Sequence, residues 1–210
     1  MNPPRVAFFS DSFHEVNGVA LTSREFAGFA ARRGYPFFCV HTGPETRHWI
    51  DGEFETFELA HSPLMLGLES DLAFDWLFLR HHKRLREHLQ AFRPDLIHVT
   101  GPSHAGILGA ILAYSLKVPL VASWHTNLHE FAARRLDRKL GWAPVAKQVE
   151  RCVLDWTMRF YRLPKLLFAP NPELVRMLIG GTGRPTYLMQ RGIDTGLFSL
   201  PGAPATTANL

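Results

Sequence analysis

Cysteine is nearly absent from this 210-residue chain: Cys39 and Cys152 stand far apart and neither belongs to a Cys-x-x-Cys pair. That excludes a disulfide framework, a zinc knuckle and a dithiol redox motif, and it suits a reducing, cytoplasmic setting. Long apolar runs are missing too. No stretch approaches the length of a membrane-spanning helix, and Met1 to Ser10 lacks the cationic region, apolar core and cleavage site of a signal peptide. There is no Gly-x-Ser-x-Gly elbow, no phosphate loop of the Gly-Lys-Ser type, no Asp-x-Asp pair and no full G-x-G-x-x-G fingerprint. Serine-hydrolase, P-loop kinase and many metal-dependent transferase chemistries therefore have no support, and a dinucleotide-dependent enzyme is disfavoured. No nucleic-acid-binding module and no internal repeat is present.

What is present describes a packed globule. The chain is 46% hydrophobic and 20% charged, with 16 Phe, which is enough apolar surface for one well-buried α/β domain. Its net charge of +4 suits an anionic partner, whether a phosphate ligand, a membrane surface or a nucleic acid.

Short apolar runs alternate with segments of helical spacing. Arg5–Ser10, Phe37–His41, Asp95–Thr100, Pro119–Trp124, Leu166–Ala169 and Thr186–Met189 read as strands buried on both faces, with Phe54–Ala60 a weaker one. Helical spacing runs from Val19 to Arg33, from Leu72 to Phe92, from His104 to Leu116, from Leu128 to Leu140, from Val145 to Tyr161 and from Glu173 to Ile179. Gly180 to Gly183 reads as a turn, and the Pro-, Ala- and Thr-rich tail from Ser199 to Leu210 as linker. The alternation predicts a single Rossmann-like, doubly wound domain with a mostly parallel sheet over residues 1–198.

In such a sheet, ligands sit beyond the carboxyl ends of the strands, so four loops matter: Asp11–Gly18, Gly101–His104, His125–Glu130 and Pro170–Glu173. The first leads into a helix whose free N–H groups and dipole favour an anion. Gly18 would let a phosphate approach closely, and Asn17 can cap the helix or donate to an oxygen. An ordinary cap and tight turn explains the same residues equally well. His125 follows the strand PLVASW directly, where an imidazole can donate to a sugar hydroxyl or stabilise developing positive charge; it could instead merely cap the next helix.

His125, His129 and Glu130 do not make a metal site, because their order is wrong for HExxH and no third ligand stands nearby. His81 and His82 read as structural, at the core edge of a helix with a basic outer face. Between Arg134 and Lys165, nine Arg or Lys face three acidic residues, with Trp142, Trp156, Phe160 and Tyr161 interspersed. That mix could rest on an anionic membrane, although solvated charges around a core-facing stripe describe it better.

Three segments taken together resemble one family. RVAFFSDSFHEVNGVALTSREFAGFAARRGY, FRPDLIHVTGPSHAGILGAILAYSLKVPLVASWHTN, and LLFAPNPELVRML with QRGIDTGLF are similar to the N-terminal domain of the family-four retaining glycosyltransferases of GT-B fold. The resemblance runs from about Arg5 to Phe198. It implies a two-domain enzyme whose N-terminal half mainly binds a sugar or lipid-linked acceptor while a C-terminal half holds a nucleotide-sugar donor, with no metal or other cofactor required. By the same resemblance, Asn17, Gly18 and Val19 would lie near the donor diphosphate and the transferring sugar. His125 would contact that sugar with Thr126 beside it, and Ser103 would help line the acceptor side.

Asn127-Leu128 and Pro170-Asn171 depart from the family's usual Asp-Phe and Pro-Ser, which leaves the acceptor open. Gly192-Ile193-Asp194 and Phe198 resemble the interdomain junction, so a C-terminal domain is expected to follow and the chain alone to be inactive. A non-catalytic acceptor-binding or membrane-surface module is the alternative.

Overall fold

The computed structural model describes residues 3–15, 17–69, 72–125 and 143–190. Its centre is an eight-stranded sheet. The strands are β1 (Val6–Ser10), β2 (Phe37–Gly43), β3 (Arg47–Asp51), β4 (Phe54–Ala60), β7 (Leu96–Val99), β8 (Leu120–Ser123), β9 (Leu166–Ala169) and β10 (Thr186–Leu188). They lie in the order β10-β9-β8-β7-β1-β2-β4-β3, and every neighbouring pair is parallel except β3–β4. Two short strands, β5 (Met65–Glu69) and β6 (Leu72–Asp75), form a separate antiparallel pair. The helices are α1 (Gly18–Arg33), α2 (His82–Phe92), α3 (His104–Leu116), α4 (Ala143–Tyr161) and α5 (Pro172–Thr182).

The continuous apolar runs become strands because both sheet faces are covered. Successive side chains of β1 divide between two cores: Ala7 and Phe9 pack with Leu85, Leu89, Leu108 and Leu112 under α2 and α3, whereas Phe8 packs with Ala27 and Ala30 of α1. Local signals set the helix ends. Asn17 caps α1, whose last turn carries Arg32 and Arg33 before left-handed Gly34. Ser103 caps α3 and Asn171 caps α5.

Two expectations require correction, and two strands were missed. Leu72–Phe92 is not one helix: β6 and a 3-10 turn at Phe78–His81 precede α2. The cause is Asp75, a buried carboxylate that accepts from Ser62 N, Ser62 Oγ and Leu77 N and pairs with Arg80 at 2.8 Å. This node anchors the chain before the helix begins. Gly180, Gly181 and Thr182 complete α5 rather than a turn, and Gly183 supplies the left-handed end. β3 and β5 were not legible as strands, since β3 is an edge strand exposed over most of its length.

The helix expected at Leu128–Leu140 and the interdomain junction near Gly192 lie outside the described residues. Cys39 is buried and Cys152 exposed, both as free thiols. No helix among the described residues is long and apolar enough to cross a membrane.

Candidate functional site

β1, β7, β8 and β9 run parallel, so the loops after Ser10, Val99, Ser123 and Ala169 gather at one sheet edge. The loop after β1 is held from within. Ser10 Oγ lies 2.8 Å from Ser23 Oγ and donates to Ser12 O at 2.9 Å. Arg24 Nη1 reaches Phe13 O at 2.5 Å and Glu15 O at 3.3 Å.

Asn17 caps α1 with its side chain. Its Oδ1 accepts from Val19 N at 3.0 Å and Ala20 N at 2.9 Å, and its Nδ2 donates to Ser12 Oγ at 3.3 Å. It is a true cap. Two of the orphan N–H groups at the start of α1 are thereby satisfied, at a helix end whose dipole favours an anion.

The loop after β7 is tied to the loop after β1. Asp11 Oδ1 accepts from Ala105 N at 3.0 Å, Ser103 Oγ accepts from Gly106 N at 3.1 Å, and Thr42 Oγ1 donates to Asp11 O at 2.7 Å. The start of α3 is therefore occupied by the protein's own carboxylate, a favourable place for it. Burial pushes the Asp11 carboxyl up, while His104 and the Ala105 N–H pull the other way. His104 Nδ1 is buried 3.6 Å from Asp11 Oδ1 with no hydrogen bond. The turn is tight: Gly101 sits at φ 150°, and a Cβ on Gly106 would meet Gly101 O at 1.8 Å.

His125 emerges half-buried beyond β8. Residues two apart on an extended chain share a face, and Ser123 Oγ lies 2.7 Å from His125 Nε2 while Trp124 packs into the opposite core. The same hydroxyl lies 3.0 Å from His98 Nε2, on the neighbouring β7. His98 is ringed by Phe8, Phe26 and Phe168, so it faces the α1 side of the sheet. His125 thus stands on the same edge, and over the same face, as the start of α1.

Burial, with His125 adding to it, pushes His98 down to about 3, so its imidazole is neutral at physiological pH. Ser123 is fully buried and has one hydroxyl proton for two imidazole nitrogens. Within this chain that proton goes to one nitrogen and the other donates back, which couples the two tautomers and orients the His125 ring. Tyr161 closes the arrangement from α4, donating to Ser123 O at 3.1 Å and stacking on Trp124 at 5.0 Å.

Of the residues expected at the site, Asn17, Gly18, Val19, Ser103 and His125 all lie half-buried on this edge, and Thr126 lies outside the described residues. His98, Ser123, Asp11 and Tyr161 were not expected. A polar residue inside each of the apolar runs DLIHVT and PLVASW was the available signal for the first two. An apolar cavity of about 670 Å³ opens at the opposite sheet edge, beside Val118, Pro119 and Leu163, away from these loops.

Comparison with known proteins gives one family match: the family model described as Glycosyltransferase Family 4 matches residues 16–197. No curated protein matches the sequence. Among solved structures, sucrose-phosphate synthase from Thermosynechococcus elongatus superposes with TM-score 0.63 at 14% identity, over 94% of this chain and 50% of that one. Anabaena HepE, solved with UDP and glucose, gives 0.51 at 17% identity, over 93% and 46%. A protein described as a UDP-N-acetylglucosamine 2-epimerase from Listeria monocytogenes gives 0.50 at 11% identity, over 88% and 44%. The chain spans about half the length of these solved relatives. Such low identities show a shared fold, and a fold hosts more than one chemistry.

Proposed function

Because the chain belongs to glycosyltransferase family 4, we propose that it is the N-terminal, acceptor-side half of a two-domain enzyme moving a sugar from a nucleotide-sugar donor to an acceptor with retention. The observation that carries this reading is His125, held by the buried Ser123 and His98 at the edge where α1 begins. An imidazole fixed by its own hydrogen bonds approaches a transferring sugar without reorganising, and preorganised contacts of this kind stabilise a transition state most.

Gly18 and Val19, with Asn17 setting the helix start, take the donor diphosphate side. Ser103 takes the acceptor side: its oxygen accepts from Gly106 N, and its hydroxyl proton remains available to an acceptor group. Thr126 is placed beside His125. The acceptor is a sugar or a lipid-linked molecule met in the cytoplasm, at a membrane surface where it is lipid-linked, and the transfer step draws on no metal.

Half of the cleft belongs to a partner domain on this reading, so the isolated chain cannot hold donor and acceptor in one near-attack geometry. The experiment compares the chain with a two-domain protein carrying it, across a panel of nucleotide sugars, with product configuration read by NMR. Retaining transfer by the two-domain protein and none by the chain alone is expected. Inverted product, or multiple turnovers by the chain alone, refutes the proposal; binding without transfer by the two-domain protein favours the non-catalytic module.

A further inference from the structure

We propose that His14, His41 and Glu58 form a binding site for a divalent transition metal of the zinc class, which fastens the loop after β1 to the sheet. Each residue brings one ligand atom within 4.8 Å of the other two. Three separate elements supply them: the loop, β2 and β4. His41 and Glu58 are register partners on adjacent parallel strands, which places both on one face of the sheet, about 4.8 Å apart.

The two sheet ligands are prepared for the role. His41 is buried, with Nδ1 3.1 Å from Thr42 O. Donation from Nδ1–H leaves the lone pair on Nε2, the arrangement in which ligating histidines are commonly held by a backbone carbonyl. Phe13 stacks on the ring at 4.5 Å and restricts its rotation.

Glu58 is equally buried. Its Oε1 accepts from Glu45 N at 3.2 Å and lies 3.8 Å from Arg47, a loose and mostly exposed partner, and one carboxylate oxygen lies within reach of the two imidazoles. Gly43 makes room for that carboxylate, because a Cβ there would meet the Glu58 carboxyl carbon at 2.4 Å.

His14 is exposed on the loop, with its ring edge-on to His41 at 4.9 Å. Zinc–ligand distances near 2.1 Å require the three atoms to converge to roughly 3.4 Å, a movement the loop histidine can supply. Two imidazoles and one carboxylate form a zinc-type donor set with a fourth position open to water. Occupancy would order the loop that runs into the Asn17 cap. The assignment stands on side-chain geometry alone and is independent of the transferase reading.

The test titrates the purified chain with Zn²⁺ alone by calorimetry near neutral pH, and with Co²⁺ followed by visible absorption. One ion per chain, a tetrahedral cobalt spectrum and a rise in Tm are expected. His14→Ala, which removes an exposed side chain, should leave the metal-free Tm unchanged and weaken zinc affinity by about tenfold or more, as should Glu58→Gln. Gly43→Ala should weaken binding by displacing the carboxylate. Absence of binding overturns the proposal. So does binding of unchanged affinity in both His14→Ala and Glu58→Gln, which would put the ion on others of the chain's 11 histidines.

Discussion

Replacing Ser123 by alanine removes the one hydroxyl that joins His98 to His125. His98 Nε2 then has no partner in a pocket lined by Phe8, Phe26 and Phe168, and an unsatisfied buried polar group costs about 1–3 kcal/mol. For a domain of this size each kcal/mol lowers Tm by roughly 2–4 °C. His98→Leu is less harmful, because Ser123 keeps His125 as a partner; a loss of about 1 kcal/mol is expected. Removing both polar partners leaves nothing stranded on β7. The double variant should therefore cost at least about 1 kcal/mol less than the sum of the single variants. Urea unfolding followed by tryptophan fluorescence measures all three, with buried Trp124 next to the site as reporter. Additivity within about 0.5 kcal/mol would refute the coupling.

The same variants carry a pH test. His98 sits at about 3 in the folded chain against 6.5 for an ordinary histidine. Between those values the unfolded chain holds a proton that the native chain does not. Stability is therefore complete above about 6.5 and falls with falling pH by about 1.4 kcal/mol per pH unit. His41, His81 and His88 are also pushed down, chiefly by burial, and add in the same direction. The decisive quantity is thus the wild-type slope minus the His98→Leu slope. An unchanged slope contradicts the buried neutral histidine.

In a two-domain protein carrying this chain, His125→Ala should lower kcat by about 10²–10³-fold while shifting the unfolding midpoint little, as for loss of a preorganised transition-state contact; steady-state kinetics beside thermal melts give both numbers. Asp75→Asn should cost about 2–3 kcal/mol in urea unfolding, since it weakens a carboxylate shared by Ser62, Leu77 and Arg80. Burial alone would raise the Asp75 carboxyl, but those hydrogen bonds hold it at about 2, so its contribution is present above 3.8 and disappears as pH falls through about 2. That acid limb should be missing from the Asn variant. Gly106→Ala should destabilise by more than about 3 kcal/mol or abolish folding, because its Cβ would meet the Gly101 carbonyl, and circular dichroism melts check it.

Order and type of the principal elements were legible in the chain because their causes are local. Continuous apolar runs such as RVAFFS have no stable place except between two helical layers, and Asn17, Ser103 and Asn171 mark helix starts with their own side chains. Given a parallel sheet, the site edge followed, and with it the positions of Gly18 and His125. Pairings between strands were not legible. His98 and Ser123 are 25 residues apart and meet only because β7 and β8 lie side by side, and His41 meets Glu58 only through the β2–β4 register. Asp75 shows the same limit from the other direction. Helical spacing across Leu72–Phe92 was real, but a buried carboxylate bound to Ser62, 13 residues earlier, outweighed it and made a strand and a turn of its first part. Local propensity amounts to tenths of a kcal/mol per residue, whereas stranding a buried charge costs several, so tertiary contact decides wherever the two conflict.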